Sequence, residues 1–291
     1  MLSICVPTWN RSKFLKWSLE RLSYDFPDAD IVVSDNASTD DTRTVGLNYR
    51  YIRQDSNIGA FPNMFAALSA AKGDYAVYCA DDDYLLPGPM AAAIAFMDEH
   101  PEVQAYCAPC ELWNEVAKTP FWNAYKLKEP LTFSKADGMD LFNFLICSHV
   151  WPEHWIYRLP LAIKPRTEAY WAFVDIPDLL ARGSIHFSPV PFYRNLIVSA
   201  VGDRVQLGNE QCLTHFEQYR AGLEVLAFGL FGDGLPYAAR HRIQEMIQWF
   251  LCARMDIAAQ LHERHGREAE AQMLRKRLAI ASPARDSAQA A

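Results

Sequence analysis

A surplus of positive charge is missing from this 291-residue chain: 28 Lys and Arg stand against 35 Asp and Glu, a formal net charge of −7. Nucleic-acid binders ordinarily carry a basic face, so no nucleic-acid partner is expected. No run of about 18 apolar residues occurs, which leaves no candidate membrane span. The opening Met1-Leu2-Ser3-Ile4-Cys5-Val6-Pro7 lacks the basic segment, long apolar stretch and cleavage site of a signal peptide. The seven cysteines are scattered, as expected of reduced, mostly buried thiols in a cytoplasmic protein. Cys107-Ala108-Pro109-Cys110 is a CxxC with no second pair, so the spacing predicts neither a structural zinc nor a redox centre. No GxGxxG follows the first apolar run, which argues against a dinucleotide dehydrogenase.

What is present is enough apolar material for a core. Half of the residues (51%) are hydrophobic and 22% are charged, and the length suits one large domain or a domain with an appendage. Over the first ~110 residues short apolar runs alternate with helical patterns, the signature of an open, mostly parallel α/β sheet. Leu2–Val6, Ala29–Ser34, Tyr51–Arg53, Tyr75–Cys79 and Val103–Cys107 read as strands. Helices are predicted after Asn10 or Ser12, from near Asp41, over Ala60–Lys72 and over Pro87–His100. Beyond residue 110 the sequence is aromatic-rich and less regular. A helix is expected over Asp137–Cys147, and strands over Glu153–Arg158, Ile185–Phe187 and Val190–Tyr193. From Val205 the pattern is helical to about residue 280, and 281–291 reads as a disordered tail.

In open α/β sheets ligands bind beyond the carboxyl ends of the strands. Three polar clusters fall at such ends: Pro7–Asn10, Asp35–Asp40 and Asp81–Asp83. The last is a run of three adjacent carboxylates. Like charges so close repel, and a divalent cation would relieve them. Oxygen ligands suit Mg²⁺ or Mn²⁺, and magnesium commonly binds one or two carboxylates together with substrate phosphates. The simpler alternative is an acidic turn or helix cap before Pro87.

Ser3-Ile4-Cys5-Val6-Pro7-Thr8-Trp9-Asn10, Ile31-Val32-Val33-Ser34-Asp35-Asn36-Ala37-Ser38-Thr39-Asp40, Asn57-Ile58-Gly59 and Ala80-Asp81-Asp82-Asp83-Tyr84-Leu85-Leu86-Pro87-Gly88 occur in this order. Together they resemble the family 2 glycosyltransferases of GT-A fold, closely over 1–110 and loosely over 150–200. The resemblance implies a nucleotide-diphosphate sugar donor (UDP or dTDP favoured), a divalent Mn²⁺ or Mg²⁺, and inversion at the sugar carbon. It implies that Pro7, Thr8 and Asn10 line the nucleotide pocket. Asp35 would meet the base, with Asn36 and Ser38 shaping its loop. Arg53 would flank the nucleotide, and Asn57 belongs to the third motif. The acidic triplet would be the DXD-type motif, with Asp83 as leading metal ligand, Asp82 towards ribose or sugar, and Asp81 as a further ligand. The commoner form of the motif begins with Asp where this chain has Ala80.

An inverting displacement needs a general base for the acceptor hydroxyl. The region resembling the family's base is Phe173-Val174-Asp175-Ile176-Pro177-Asp178, which makes Asp175 the first candidate and Asp178 the second. A helix cap is the alternative for either. His154, Trp155, His186 and Arg204 are weaker candidates for contact with acceptor or sugar. The acceptor expected is a saccharide or a lipid-linked one, in surface polysaccharide or glycoconjugate synthesis.

The organisation expected is a catalytic domain over 1–204, with a nucleotide-binding half (1–110) and an acceptor half (111–204), then a helical extension over 205–280. Those helices would pack on the catalytic domain or form a homodimer interface; a peripheral contact at the inner face of the membrane is the alternative, weakened by Glu among the basic residues. Two other functions fit the sequence less well. A nucleotidyltransferase would want a Gly-rich phosphate loop with a following Lys and Arg. A non-catalytic nucleotide-sugar-binding module stays open because the Glu of the family's usual Glu-Asp pair is absent before Asp175.

Overall fold

The computed structural model describes residues 1–123, 125–161, 169–202, 216–232 and 234–281. The chain separates into two compact units. The first comprises Met1–Gly138, Trp151–Pro165 and Asp175–Arg204, and the second Met139–Val150, Arg166–Val174 and Val205–Ala291. The second unit thus draws in two segments that the sequence reading places within 1–204.

Two sheets build the first unit. The larger has eight strands in the order β3-β2-β1-β4-β10-β6-β11-β9. These are β1 (Leu2–Thr8), β2 (Asp30–Asp35), β3 (Arg50–Arg53), β4 (Tyr75–Tyr78), β6 (Val103–Cys107), β9 (Leu131–Phe133), β10 (Trp155–Arg158) and β11 (Ser184–Phe187). β1 lies parallel to β2 and β4, and β2 to β3. β10 is antiparallel to both β4 and β6, which restores the common direction in β6 and its parallel neighbour β11. The carboxyl ends of β1, β2, β3 and β4 therefore share one edge. Ile4, Val6, Val33, Val77 and Ile156 form the buried middle of the sheet, the near-continuous apolar runs expected of strands covered on both faces.

Helices α1 (Ser12–Asp25), α2 (Thr42–Gly46), α3 (Ala60–Ser69) and α4 (Pro87–Glu99) connect the first strands. In α1, Leu15, Ser18, Leu19 and Leu22 are buried. Neither Asn10 nor Ser12 caps it; Arg11 holds the N-cap position without a side-chain cap bond, and Asp40 accepts the Ser12 N–H instead.

The smaller sheet, β5-β12-β7-β8, is the part least visible in the sequence. It joins β5 (Tyr84–Leu85), β7 (Glu111–Asn114), β8 (Thr119–Asn123) and β12 (Tyr193–Val198). The strand expected over Val190–Tyr193 instead begins at Tyr193, because Pro191 has no N–H to offer a ladder. β5 pairs antiparallel with β12, Tyr193 opposite Leu85 and Arg194 opposite Tyr84. This pairing ties the chain just past the acidic triplet to a strand more than a hundred residues later. Helices α6 (Trp171–Val174) and α7 (Ile176–Arg182) precede β11.

The second unit is helical, with α5 (Gly138–Cys147), α6, α8 (Phe216–Phe231), α9 (Tyr237–Arg264) and α10 (Glu268–Ala281). Phe216, Tyr219, Leu223 and Leu226 form the buried stripe of α8; the tail from residue 282 lies outside the described residues. A Cβ on Gly222 would stand 2.9 Å from the Tyr170 carbonyl, so glycine there lets α8 close onto the chain before α6. Arg275 of α10 pairs with Asp256 and Glu263 of α9. Among the described residues, no helix is long and apolar enough to cross a membrane.

Candidate active site

The loops at the carboxyl ends of β1, β2 and β3 are stitched together by side chains. Asn10 takes φ 53°, a left-handed conformation that Asn tolerates better than most residues. From there its N–H donates to Ser38 Oγ at 2.8 Å, and its Oδ1 accepts the Thr39 N–H at 2.7 Å. Asn36 reaches the next loop: its amide donates to Asn57 Oδ1 at 2.9 Å and to the Gly59 carbonyl at 3.1 Å, and its Oδ1 accepts the Ile58 N–H. Pro7 lies on β1 opposite Ser34 of β2.

Asp35 is the hub of this edge. Its side chain is fully buried, and its Oδ1 accepts the Ser38 N–H at 2.8 Å. Its Oδ2 accepts from the Tyr51 hydroxyl and the Arg53 guanidinium. Burial works against the charged form, but the bonds from Ser38 and Tyr51 and the Arg53 charge outweigh it and hold the carboxyl below its ordinary value.

The acidic triplet follows β4 and does not present three equivalent ligands. All three carboxylates are buried. Asp81 Oδ2 accepts from Thr8 Oγ1 at 2.7 Å, and Asp81 Oδ1 lies 3.0 Å from an Arg11 guanidinium nitrogen. The other terminal nitrogen of Arg11 donates to Asp82 Oδ2. Burial and the adjacent Asp82 charge push Asp81 up, against the pull of Arg11. Asp83 turns away: its Oδ2 accepts from Tyr193 OH and the Asn195 amide, each at 3.0 Å, and its Oδ1 accepts the Leu196 N–H at 2.8 Å. Tyr193 OH also accepts the Ala80 N–H at 3.0 Å. Asp83, expected as the leading metal ligand, is thus bonded to the smaller sheet, while Asp81 and Asp82 face the Arg11 guanidinium.

The weaker candidates separate. His154 is buried with its ring centroid 3.9 Å from that of Tyr193, and burial pushes it down to about 3. It is a neutral ring backing Tyr193. Trp155 is buried against Phe187 and Tyr157, a core position. His186 stacks on Phe96 of α4 and on Tyr106, with Nδ1 2.8 Å from Thr132 Oγ1; these contacts put it in sheet packing. Arg204 lies outside the described residues. Cys107 and Cys110 are buried free thiols, and burial pushes Cys107 up to about 12, so neither is a reactive thiolate at neutral pH.

Asp175 stands immediately before α7. That helix ends at Arg182, and β11 begins at Ser184 after Gly183. Asp175 is buried, with Tyr157 OH donating to its Oδ2 at 3.5 Å. No side-chain cap bond to α7 forms. Burial, then the Asp178 charge, raises its carboxyl to about 7. Asp178 is exposed on the first turn of α7.

The sequence profile described as "Glycosyl transferase family 2" matches residues 3–151, just over half of the chain. The chain belongs to glycosyl transferase family 2. Among curated members, abequosyltransferase RfbV of Salmonella typhimurium is 32% identical over 114 residues, 35% of this chain and 34% of that protein. A Campylobacter jejuni GalNAc(5)-diNAcBac-PP-undecaprenol beta-1,3-glucosyltransferase is 32% identical over 107 residues, 34% of this chain and 35% of that one. The chain thus spans about a third of the length of the curated relatives it matches. Staphylococcus aureus TarS 1-349, solved in complex with UDP-GlcNAc, superposes with a TM-score of 0.60 at 15% identity over 98% of this chain and 93% of that one. The GT-A fold of the family is thereby shared.

The matched residues 3–151 include the segments Pro7–Asn10, Asp35–Asp40 and Asn57–Gly59. Four residues at the site escaped sequence reasoning: Arg11, Tyr51, Tyr193 and Asn195. Arg11 directly follows a family motif residue, Asn10, and that adjacency was the available signal. Tyr193 and Asn195 gave none, since their partner Asp83 is 110 and 112 residues away.

Proposed function

We propose that this chain is a metal-dependent inverting glycosyltransferase, moving a sugar from a nucleotide-diphosphate sugar to a hydroxyl acceptor in surface polysaccharide or glycoconjugate synthesis. One observation carries the reading: a buried carboxylate pair, Asp81 and Asp82, follows β4 with Arg11 set against it, while a separate buried carboxylate, Asp175, pushed up to about 7, stands immediately before α7.

The donor set fits a hard divalent cation. Asp81 and Asp82 offer buried oxygens in an arrangement already neutralised by positive charge. Among the described residues, no group of three or more His, Cys, Asp or Glu is placed to hold a metal unaided. An Mg²⁺- or Mn²⁺-type ion can take one or two carboxylates and complete its shell with waters and substrate phosphates. When bound there, the cation would supply Lewis-acid neutralisation of the leaving diphosphate. Asp81 and Asp82 would hold it. Pro7, Thr8, Asn10, Asn36, Ser38, Asn57 and the Asp35–Tyr51–Arg53 group would enclose the nucleoside, UDP or dTDP being favoured. Asp35 reaches a base only where the base N–H joins the donors already on its carboxylate. Asp175 would remove the acceptor proton as the hydroxyl attacks, with Asp178 raising its basicity through charge.

The relatives' names support sugar transfer, and the UDP-GlcNAc complex of TarS supports a nucleotide-sugar donor. A saccharide or lipid-linked acceptor is proposed, as is a homodimer through the C-terminal helices in preference to membrane contact. The decisive test is a thermal-shift screen of nucleoside diphosphates and nucleotide-sugars with and without Mn²⁺. A ligand that binds only the native state raises apparent stability by ~2.7 kcal/mol at a hundredfold excess over Kd. A metal-dependent rise with UDP or dTDP, lost in Asp82→Ala, is expected. No metal-dependent rise with any nucleotide overturns the reading.

A further inference from the structure

We propose that Arg11 is a resident counter-ion of the Asp81–Asp82 pair, one that gives way to the divalent cation and engages the donor diphosphate, so that metal and nucleotide bind cooperatively through it. The inference rests on the metal-dependent reading above and adds a device to it.

The geometry is that of a fork closed across two carboxylates. One terminal guanidinium nitrogen of Arg11 lies 3.0 Å from Asp81 Oδ1, and the other donates to Asp82 Oδ2. Both carboxylates are almost wholly buried, with side chains 5% and 1% exposed, whereas Arg11 remains 33% exposed. Two buried, adjacent like charges need a positive partner in the unliganded protein. Arg11 supplies it from the loop side, where solvent reaches its side chain.

A cation held by Asp81 and Asp82 needs the oxygens that Arg11 now faces. Two cations on the same oxygens repel, so the guanidinium must leave as the metal enters. Arg11 is built to leave. It sits in the loop between β1 and α1 with non-helical backbone (φ −137°, ψ 40°), and a third of its side chain remains open to solvent. Its guanidinium carbon lies 4.7 Å from the Phe14 ring centroid, a face on which the cation can rest while it changes partners. Guanidinium forks match phosphate oxygens as well as carboxylates. The donor brings those oxygens to the same sheet edge, and Arg11, once displaced, is the cation at hand.

Without nucleotide, the metal must displace Arg11 into water. With nucleotide, the displaced Arg11 gains an anionic partner. Nucleotide therefore strengthens metal binding, and by reciprocity metal strengthens nucleotide binding. This separates Arg11 from a purely structural ion pair, whose loss would weaken the carboxylate site.

The test titrates Mn²⁺ into the full chain, with and without saturating UDP, reading free Mn²⁺ by electron paramagnetic resonance. In the wild type, UDP tightens Mn²⁺ binding. In Arg11→Gln, Mn²⁺ alone binds about tenfold more tightly, the order expected for release of a partly buried charge pair, and the tightening by UDP shrinks by a similar factor. Arg11→Lys keeps the charge without the fork and falls between the two; it carries the test alone if circular dichroism shows Arg11→Gln unfolded. Variants that bind Mn²⁺ alone no more tightly than the wild type overturn the role of Arg11. Failure of the wild type to bind Mn²⁺ even with UDP overturns the metal reading, and this inference with it.

Discussion

Asp175 and Asp178 are three positions apart and differ in what surrounds them. Asp175 is buried and raised to about 7, the range in which a carboxylate serves as a general base at neutral pH. The base must be ionised, so turnover should rise with pH through about 7. Asp178→Asn removes a like charge and should move that limb to lower pH with little loss at the plateau. Asp175→Asn should cut kcat by about 10²–10⁴-fold, the usual weight of general-base catalysis, while calorimetry shows donor affinity unchanged. Turnover that survives Asp175→Asn, or a limb unmoved by Asp178→Asn, removes this pair from the chemistry. Stability carries the opposite sign. The folded pKa lies above the unfolded value near 3.9, so the native state binds the proton more strongly. The contribution of Asp175 is complete at low pH and is lost as pH rises through about 7. Activity and stability should therefore diverge across neutrality, measurable by rate profiles and by urea denaturation at pH 5 and 8.

At the scale of elements, the smaller sheet fixes the acidic turn. Asp83 accepts from Tyr193, Asn195 and Leu196 of β12, and β5 continues the same pairing. Tyr193→Phe removes a hydroxyl that both donates to Asp83 and accepts from Ala80. A buried charged acceptor that loses a donor costs about 1–3 kcal/mol, and urea midpoints should register it. The element carrying Asp175 offers a second lever. A Cβ on Gly183, where α7 turns into β11, would stand 2.1 Å from the Glu102 carbonyl oxygen. Backbone there cannot yield cheaply, so Gly183→Ala should destabilise by about 1–3 kcal/mol and loosen α7; wild-type stability would show that the corner has more room than described. These elements also show what the sequence could and could not reveal. β1, β2, β4 and β6 are apolar runs flanked by turn residues, and their pattern is local. β7 and β8 form a local hairpin, but both are short and mix polar with apolar side chains. β12 pairs only with strands far earlier in the chain, β5 and β7, so no local pattern announces it. The same distance hid the β12 residues that bond Asp83.

For the molecule as a whole, charge is the property that the sequence states outright, and it bears on how an anionic donor arrives. The chain carries a formal −7. At the sheet edge Asp35, Asp81, Asp82 and Asp83 outnumber Arg11 and Arg53, so the local field has the same sign as the global one. A nucleoside diphosphate approaching without metal meets repulsion at both ranges. Exposed charges further apart than about 8 Å are screened at physiological ionic strength, so added salt should relieve the long-range part. Metal-free UDP binding should therefore hold or strengthen as NaCl rises from 20 to 150 mM, the reverse of a basic phosphate-binding groove. With saturating Mn²⁺ the cation offsets that excess of negative charge, the diphosphate meets an attractive centre at short range, and added salt should weaken binding instead. Isothermal titration under the four conditions checks this reversal. Binding that weakens with salt in the absence of metal would mean that arginines, and not the carboxylates, dominate the field at the mouth. The Asp81–Asp82 pair would then lose its standing as the proposed cation site.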